Sequence, residues 1–226
     1  MIESGIILLD KPKGLSSFMA GKLVGRAVGA SKFGHMGTLD PMATGLLVVA
    51  INKATKLFDK FLHSDKEYLA TYNFGYETDT LDGEGEITKK NDVVVCKDSL
   101  EQVCEKFVGK QSQIPPIYSA KKINGKKAYE LAREGKIVEL KPKEVELYSL
   151  KLLGGGNNSY SFKINCSSGF YVRSLGRDIA KEFSTFATTT CIRRTQCSGF
   201  DLKDAQTLEE IKNGNFKLIP LEEIFV

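Results

Sequence analysis

A chain of 226 residues, 42% hydrophobic and 27% charged, is long enough to bury a core and too apolar for a disordered or fibrous protein. The net charge is +4, from 32 Lys and Arg against 28 Asp and Glu, too weak by itself to imply a nucleic-acid partner. The longest unbroken apolar run, Leu46 to Ile51, falls far short of the roughly 20 residues of a spanning helix, and the start MIESGIILLDKPKG lacks the basic, extended apolar character of a signal peptide. A soluble, cytoplasmic protein with no membrane partner is expected. The five cysteines (Cys96, Cys104, Cys166, Cys191, Cys197) are odd in number and lack C-x-x-C spacing, which suits free thiols in a reducing compartment.

In chain order, Ile6 to Leu9 reads as a short strand ended by the turn Asp10-Lys11-Pro12-Lys13-Gly14. Ser16 or Ser17 caps a helix to about Val28. A glycine-rich loop, Gly29 to Gly37, then leads through Thr38 to Gly45 into the strand Leu46 to Ile51. Ala54 to Leu62 suits a helix, Glu67 to Tyr76 alternates like a half-buried strand, and Asp98 to Phe107 suits a helix. Ile114-Pro115-Pro116 is extended, since a residue before proline avoids the helical region. Ala128 to Arg133 reads as a short helix ended by Gly135. Val145 to Leu152 and Tyr160 to Cys166 read as strands paired across the turn Gly154 to Asn158. Phe170 to Phe183 reads as a strand end running into a helix, and Leu208 to Lys212 as a short helix. There is no repeat, linker or clear domain boundary. Without regular βαβ alternation the expected class is α+β.

The small net charge hides an uneven distribution. Between Lys110 and Lys143 nine basic residues face three glutamates, a local +6; between Asp65 and Asp92 eight acids face three lysines, a local −5. The basic block, interleaved with Tyr118 and Tyr129, suits either a grip on a phosphate backbone or a solvated lysine-rich face. The chain has no P-loop, no G-x-G-x-x-G after a strand and no G-x-S-x-G elbow. His35 and His63 sit in no metal-ligand spacing, and Thr78 to Glu86 does not match a calcium loop, so nucleotide-driven, metal and serine-hydrolase chemistry are all left unsupported.

The segment Gly34-His35-Met36-Gly37-Thr38-Leu39-Asp40-Pro41-Met42-Ala43-Thr44-Gly45 stands apart. Its glycines permit tight turns and close approach of a ligand, and Asp40, before proline, is biased to an extended conformation. The apolar strand that follows would hold such a loop at a sheet end. A carboxylate presented this way is either a nucleophile or base, or an Asx turn that orders the loop.

GHMGTLDPMATGLL resembles the catalytic motif of the TruB family of tRNA pseudouridine synthases. Further segments resemble that family in order and spacing: Ile7 to Gly14, Ser64-Asp65-Lys66-Glu67-Tyr68, Thr78-Asp79-Thr80, Gln113 to Lys122, Gly125 to Glu130, Gly169-Phe170-Tyr171-Val172-Arg173-Ser174-Leu175 and Arg193-Arg194-Thr195.

The resemblance implies a pseudouridine synthase fold: one domain over residues 1–226, a mixed and largely antiparallel sheet flanked by helices around a central active-site cleft, with a basic RNA-gripping insertion at about 110–143. It implies isomerisation of uridine 55 in the T arm of tRNA, by base flipping and cleavage and re-formation of the glycosidic bond, without cofactor or metal. Asp40 maps onto the family's catalytic aspartate. Arg173 maps onto the arginine that keeps it ionised and aimed, and Tyr68 onto the tyrosine that stacks on the base. His35 is implied near the flipped nucleotide, Lys11 and Pro12 at the pocket floor, Tyr171 beneath the base and Ile192 against the uracil. Lys121, Lys122, Lys126 and Lys127 are implied in the RNA grip. The C-terminal RNA-binding domain common in the family has no counterpart up to Val226, and Ala187 to Cys191 departs from the usual pattern. A monomer without an obligatory protein partner is expected. A tRNA-folding protein without catalysis and a guide-RNA-dependent relative are the alternative readings.

Overall fold

The computed structural model describes residues 2–62, 64–119, 122–123, 126–128, 134 and 140–224. The chain forms two compact units, one of residues 1–69 with 191–226, the other of residues 70–190. The elements in chain order begin with β1 (Gly5–Lys11), α1 (Ser17–Ala27), β2 (Phe33–Met36), β3 (Thr44–Ile51), α2 (Phe58–Leu62) and β4 (Lys66–Phe74). They continue with β5 (Tyr76–Thr78), β6 (Ile87–Lys90), α3 (Lys97–Lys106), β7 (Gly109–Gln113), β8 (Lys122–Ile123), β9 (Lys126–Lys127), β10 (Lys143–Gly156), β11 (Ser159–Cys166) and α4 (Val172–Lys181). The chain closes with β12 (Ala187–Cys197), β13 (Phe200–Asp201), β14 (Gln206–Thr207), α5 (Leu208–Lys212) and β15 (Ile219–Pro220). Strands in mainly antiparallel sheets, with a few helices, make the fold α+β, as the sequence indicates.

In the first unit the strands run in the order β14-β1-β3-β12, with β2 also on β3 and β15 on β1. β1 and β3 pair antiparallel, Ile6 opposite Ala50 and Leu8 opposite Val48. Both strands are apolar at every core position because both faces are covered. Ile6, Leu8, Leu46, Val48 and Ala50 join one cluster with Met36 and Cys197; Ile7, Leu9, Leu47, Val49 and Ile51 join another with Ala20 and Val24 of α1 and Ile211 of α5. A continuous apolar run of this length is what a strand buried on two faces requires. β1 pairs parallel with β14, and β3 parallel with β12.

In the second unit β10 pairs antiparallel with β11 and with β7. The β10–β11 turn is the pair Asn157-Asn158, with φ of 51° and 61°, the left-handed values of a type I′ hairpin that asparagine tolerates best after glycine. Asn158 also donates from Nδ2 to the Val93 carbonyl (2.8 Å) and accepts at Oδ1 from the Val95 amide (2.9 Å), tying the hairpin to the segment before α3. Tyr72 of β4, fully buried, stacks obliquely on Phe162 at 5.3 Å and donates its hydroxyl to the Val172 carbonyl (2.8 Å) at the start of α4. Burial drives its phenol pKa well above the ordinary value, so the hydroxyl stays a donor.

Several expected elements differ. Gly34-His35 lies not in a loop but within β2, which pairs with β3 with His35 opposite Val49. Ala54 to Leu62 is split, a 3₁₀ turn over Asn52–Leu57 preceding α2, because Asn52 enters it at φ 54° with no side-chain cap. Phe170 contributes no strand before α4. The eleven-residue strand β12 has no counterpart among the expected elements. Of the expected helix from Ala128 to Arg133 only Ala128 is among the described residues. The five cysteines are free thiols, and burial pushes the Cys104 thiol up to about 12.

Gly176 of α4 sits where a Cβ would lie 2.5 Å from Tyr72 Cδ1. Gly176→Ala therefore overpacks a fully buried ring and is expected to cost about 2 kcal/mol, a fall in Tm of about 4–8 °C in thermal denaturation.

Candidate active site

The loop between β2 and β3 carries Asp40. Leu39, Met42 and Ala43 are buried on either side of it, while Asp40 itself is half-buried and Pro41 exposed. Apolar neighbours thus anchor the loop on either side of Asp40. The Asp40 carbonyl closes a turn by accepting from the Ala43 amide (3.1 Å).

Four donors hold the backbone of this loop. The Gly14 amide bonds the Pro41 carbonyl (2.8 Å). Lys11, fully buried at the end of β1, directs Nζ at the carbonyls of Pro12 (2.9 Å), Leu15 (2.8 Å) and Pro41 (3.3 Å). Ser17 Oγ accepts from the Leu39 amide (2.7 Å) and donates to the Leu39 carbonyl (2.9 Å). Ser16, not Ser17, caps α1, accepting from the Met19 amide (3.2 Å), so the two serines divide the work. Arg194 of β12, fully buried, donates from Nε to the Leu46 carbonyl (2.8 Å) and from Nη2 to the Gly37 carbonyl (3.1 Å). Gly37 and Leu46 bracket the loop, so one guanidinium ties its two ends. Among the described residues no carboxylate pairs with Arg194.

Gly45 makes this clamp possible. It has φ +99°, and a Cβ there would lie 2.3 Å from the Arg194 carbonyl oxygen, so the approach of β3 to β12 admits only glycine. The register sets Arg193 opposite Thr44. Arg193 grips Asp10 in a two-pronged pair (Nη2 to Oδ2 2.7 Å, Nη1 to Oδ1 3.2 Å) and reaches Thr44 Oγ1 (3.3 Å). Thr44 Oγ1 in turn donates to the Ile192 carbonyl (3.5 Å), and the Ile192 side chain is buried. Asp10, Lys11, Thr44 and Arg193 line a cavity of about 640 Å³ together with Thr207 and Lys212. His35 is half-buried on β2, Pro12 is exposed, and Tyr68 is buried on β4, where every second residue from Tyr68 to Phe74 faces inward.

Arg173 and Tyr171 belong to the second unit, at the start of α4. Arg173 is buried and donates from Nη1 to the Thr80 carbonyl (2.7 Å) and from Nη2 to the Tyr118 carbonyl (2.9 Å). Its Nη1 also lies 3.4 Å from Asp82 Oδ2 in a buried ion pair. The other oxygen of Asp82 accepts from Thr80 Oγ1 (2.7 Å) and the Glu84 amide (3.1 Å). Charge and hydrogen bonds are both satisfied, which is the condition for burying such a pair. The side-chain amide of Gln113 fixes Tyr171, accepting from its amide (2.8 Å) and donating to its carbonyl (3.1 Å). Lys122, Lys126 and Lys127 lie on the paired strands β8 and β9; Lys121 lies outside the described residues.

In the sequence Ser17 stands out only as a possible helix cap and Gln113, Arg193 and Arg194 only as members of motif segments, while Asp82 carries no role of its own. The spacing T-D-T-L-D, read as an acidic turn, was the available signal for Asp82. Among the described residues no group of three or more His, Cys, Asp or Glu converges as a metal site would. No helix is long and apolar enough to cross a membrane.

The family model described as "TruB family pseudouridylate synthase (N terminal domain)" matches residues 25–172, the span that holds the Asp40 loop, Tyr68 and the Asp82 turn. A tRNA pseudouridine synthase B of Francisella philomiragia is 40% identical over 230 residues, 99% of this chain and 76% of that protein. This chain belongs to the TruB family. The tRNA pseudouridine synthase B of Francisella tularensis subsp. novicida is likewise 40% identical over 99% of the chain and 76% of its own length. Among solved structures, a Cbf5-Nop10-Gar1 complex contains a chain with TM-score 0.73 and 27% identity. The match covers 92% of this chain and 54% of that one. An H/ACA RNP bound to a substrate RNA containing 2'-deoxyuridine gives TM-score 0.71 at 24% identity over 92% of this chain and 52% of its own, a likeness of fold. The chain thus spans about half the length of these solved relatives.

Lys11→Met leaves the carbonyls of Pro12, Leu15 and Pro41 without their shared donor and is expected to cost about 3 kcal/mol. Lys13→Met, on an exposed side chain two residues away, is expected to stay within about 0.5 kcal/mol. Urea denaturation of the two variants checks the contrast.

Proposed function

We propose that this protein converts uridine 55 in the T arm of tRNA to pseudouridine. The observation that carries the reading is the Asp40 loop, held by Lys11, Ser17 and Arg194 within a family whose named relatives are tRNA pseudouridine synthases. Cleaving and remaking a glycosidic bond needs a carboxylate fixed to within a fraction of an ångström, and the four backbone braces supply that precision. Asp40 acts at the extruded nucleotide, Tyr68 offers its ring to the base, and Arg173 supplies a fixed guanidinium to the reaction. Asp82 positions Arg173 by holding Nη1 from behind. His35, Pro12, Tyr171 and Ile192 shape the space around the base, and Lys11 supports its floor from within. The chain works as a monomer in the cytoplasm, without cofactor or protein partner, and the segment with Lys121, Lys122, Lys126 and Lys127 grips the RNA arm.

The likeness to a chain from a Cbf5-Nop10-Gar1 complex favours a second reading, in which an accessory RNA or protein is needed. Unmodified tRNA incubated with the purified chain alone separates the two. Pseudouridine mapped by chemical probing at position 55 is expected with wild type and is expected to be lost, by a factor of about 10⁴ or more, in Asp40→Asn. Conversion only after a cell extract is added sinks the stand-alone reading. Gln at positions 121, 122, 126 and 127 together is expected to weaken tRNA binding and to lower the slope of log K against log salt by about 3, as four lost phosphate contacts would.

A further inference from the structure

Between Asp10 and Asp59 the chain carries one acid, Asp40, against Lys11, Lys13, Lys22, Arg26, Lys32, Lys53 and Lys56. That is a local excess of positive charge equal to the basic block further along, and it surrounds the catalytic loop in sequence. Lys11 is spent inside the fold, but the other six side chains are exposed. Among the described residues no carboxylate pairs with any of them.

Two of the six, with two exposed apolar residues, lie on α1. Its inner face, Ala20, Gly21, Val24 and Gly25, is buried, and its outer face carries Phe18, Met19, Lys22 and Arg26. Phe18, Lys22 and Arg26 follow one another at four-residue spacing and form one ridge about 12 Å long. Phe18 is 60% exposed and Met19 41%. The Phe18 ring does not swing freely. Its neighbour is Phe33, at 5.6 Å between centroids, and Phe33 is seated against the glycines Gly21 and Gly25, where a Cβ would stand 3.3 and 3.1 Å from it. An aromatic with one side supported and the rest open, followed by two unpaired cations, is a platform for a base with its phosphates.

We infer that the outer face of α1 is a second RNA-contacting surface, with Phe18 stacking on an unpaired base and Lys22 and Arg26 holding the adjoining phosphates. The inference rests on the RNA-directed reading above and adds the place where the strand beside the target nucleotide is held. The link to the chemistry is a pair of hydrogen bonds. Ser17, in the first turn of α1, is bonded through Oγ to both backbone groups of Leu39, the residue before Asp40. RNA fixed on α1 is thereby fixed relative to the catalytic loop. An anionic membrane suits the face less well, because its apolar part is confined to one helical turn and the inner face is committed to the core.

The test is equilibrium binding of unmodified tRNA across a salt series, by fluorescence anisotropy. The double variant Lys22→Gln, Arg26→Gln is expected to lower the slope of log K against log salt by about 1.4–1.8, and Phe18→Ala to weaken binding about tenfold without changing the slope. Lys203→Gln with Lys217→Gln, two exposed lysines elsewhere in the same unit, is expected to leave both unchanged. Exchange of the two cations (Lys22→Arg, Arg26→Lys) is expected to restore the slope. An unchanged slope in the double variant together with unchanged affinity in Phe18→Ala overturns the inference. So does loss of binding to phosphatidylserine vesicles with tRNA binding intact. A wild type that binds tRNA but makes no pseudouridine sinks the catalytic reading, while the slopes still decide this one.

Discussion

The backbone of the Asp40 loop is held by buried cations and a buried hydroxyl, and the rest of the first unit is arranged to bring those donors to it. Removing a lysine or arginine from water costs several kcal/mol, so Lys11 and Arg194 are tolerable only because carbonyl oxygens converge on them. The carbonyls of Gly37, Pro41 and Leu46 belong to the loop and its flanks. The desolvation of each cation and the ordering of the loop are thus one transaction: neither is stable without the other. These contacts hold the loop through its main chain.

The second unit solves a related problem with similar means. Arg173 also spends most of its guanidinium on main-chain oxygens, those of Thr80 and Tyr118, and takes its counter-charge from Asp82. Gln113 and Tyr72 fix the start of the helix that carries it. In both units a working side chain sits at the end of a regular element, and neighbouring loops adapt to it by pointing carbonyls inward.

Much of this was legible in the residues. The unbroken runs Ile6 to Leu9 and Leu46 to Ile51 announced strands covered on two faces, and the alternation in β4 and β11 announced strands with a single buried face. The Asp40 loop was legible through its glycines and its proline. β12 was not, because its polarity is inverted: Thr188, Thr189 and Arg194 are buried while Cys191 is exposed. A binary pattern reads such a stretch as surface. β2 was hidden by its glycines, since Gly29 to Gly37 reads as a loop where Phe33–Met36 pairs with β3. Asp82 looked like one more acid in an acidic turn, since the guanidinium that buries it comes from a distant part of the chain.

The clamp between β3 and β12 joins residues 149 positions apart, Thr44 and Arg193. During synthesis at roughly 5–20 residues per second, the aspartate motif leaves the ribosome roughly 7–30 s before the arginine that ties its loop. For that interval the loop has the braces of Lys11, Gly14 and Ser17, which precede it in the chain, but not that of Arg194. The nascent chain therefore completes its catalytic geometry late. A ribosome that stalls within that window would display the motif with its early braces and without the guanidinium that ties the two ends of its loop.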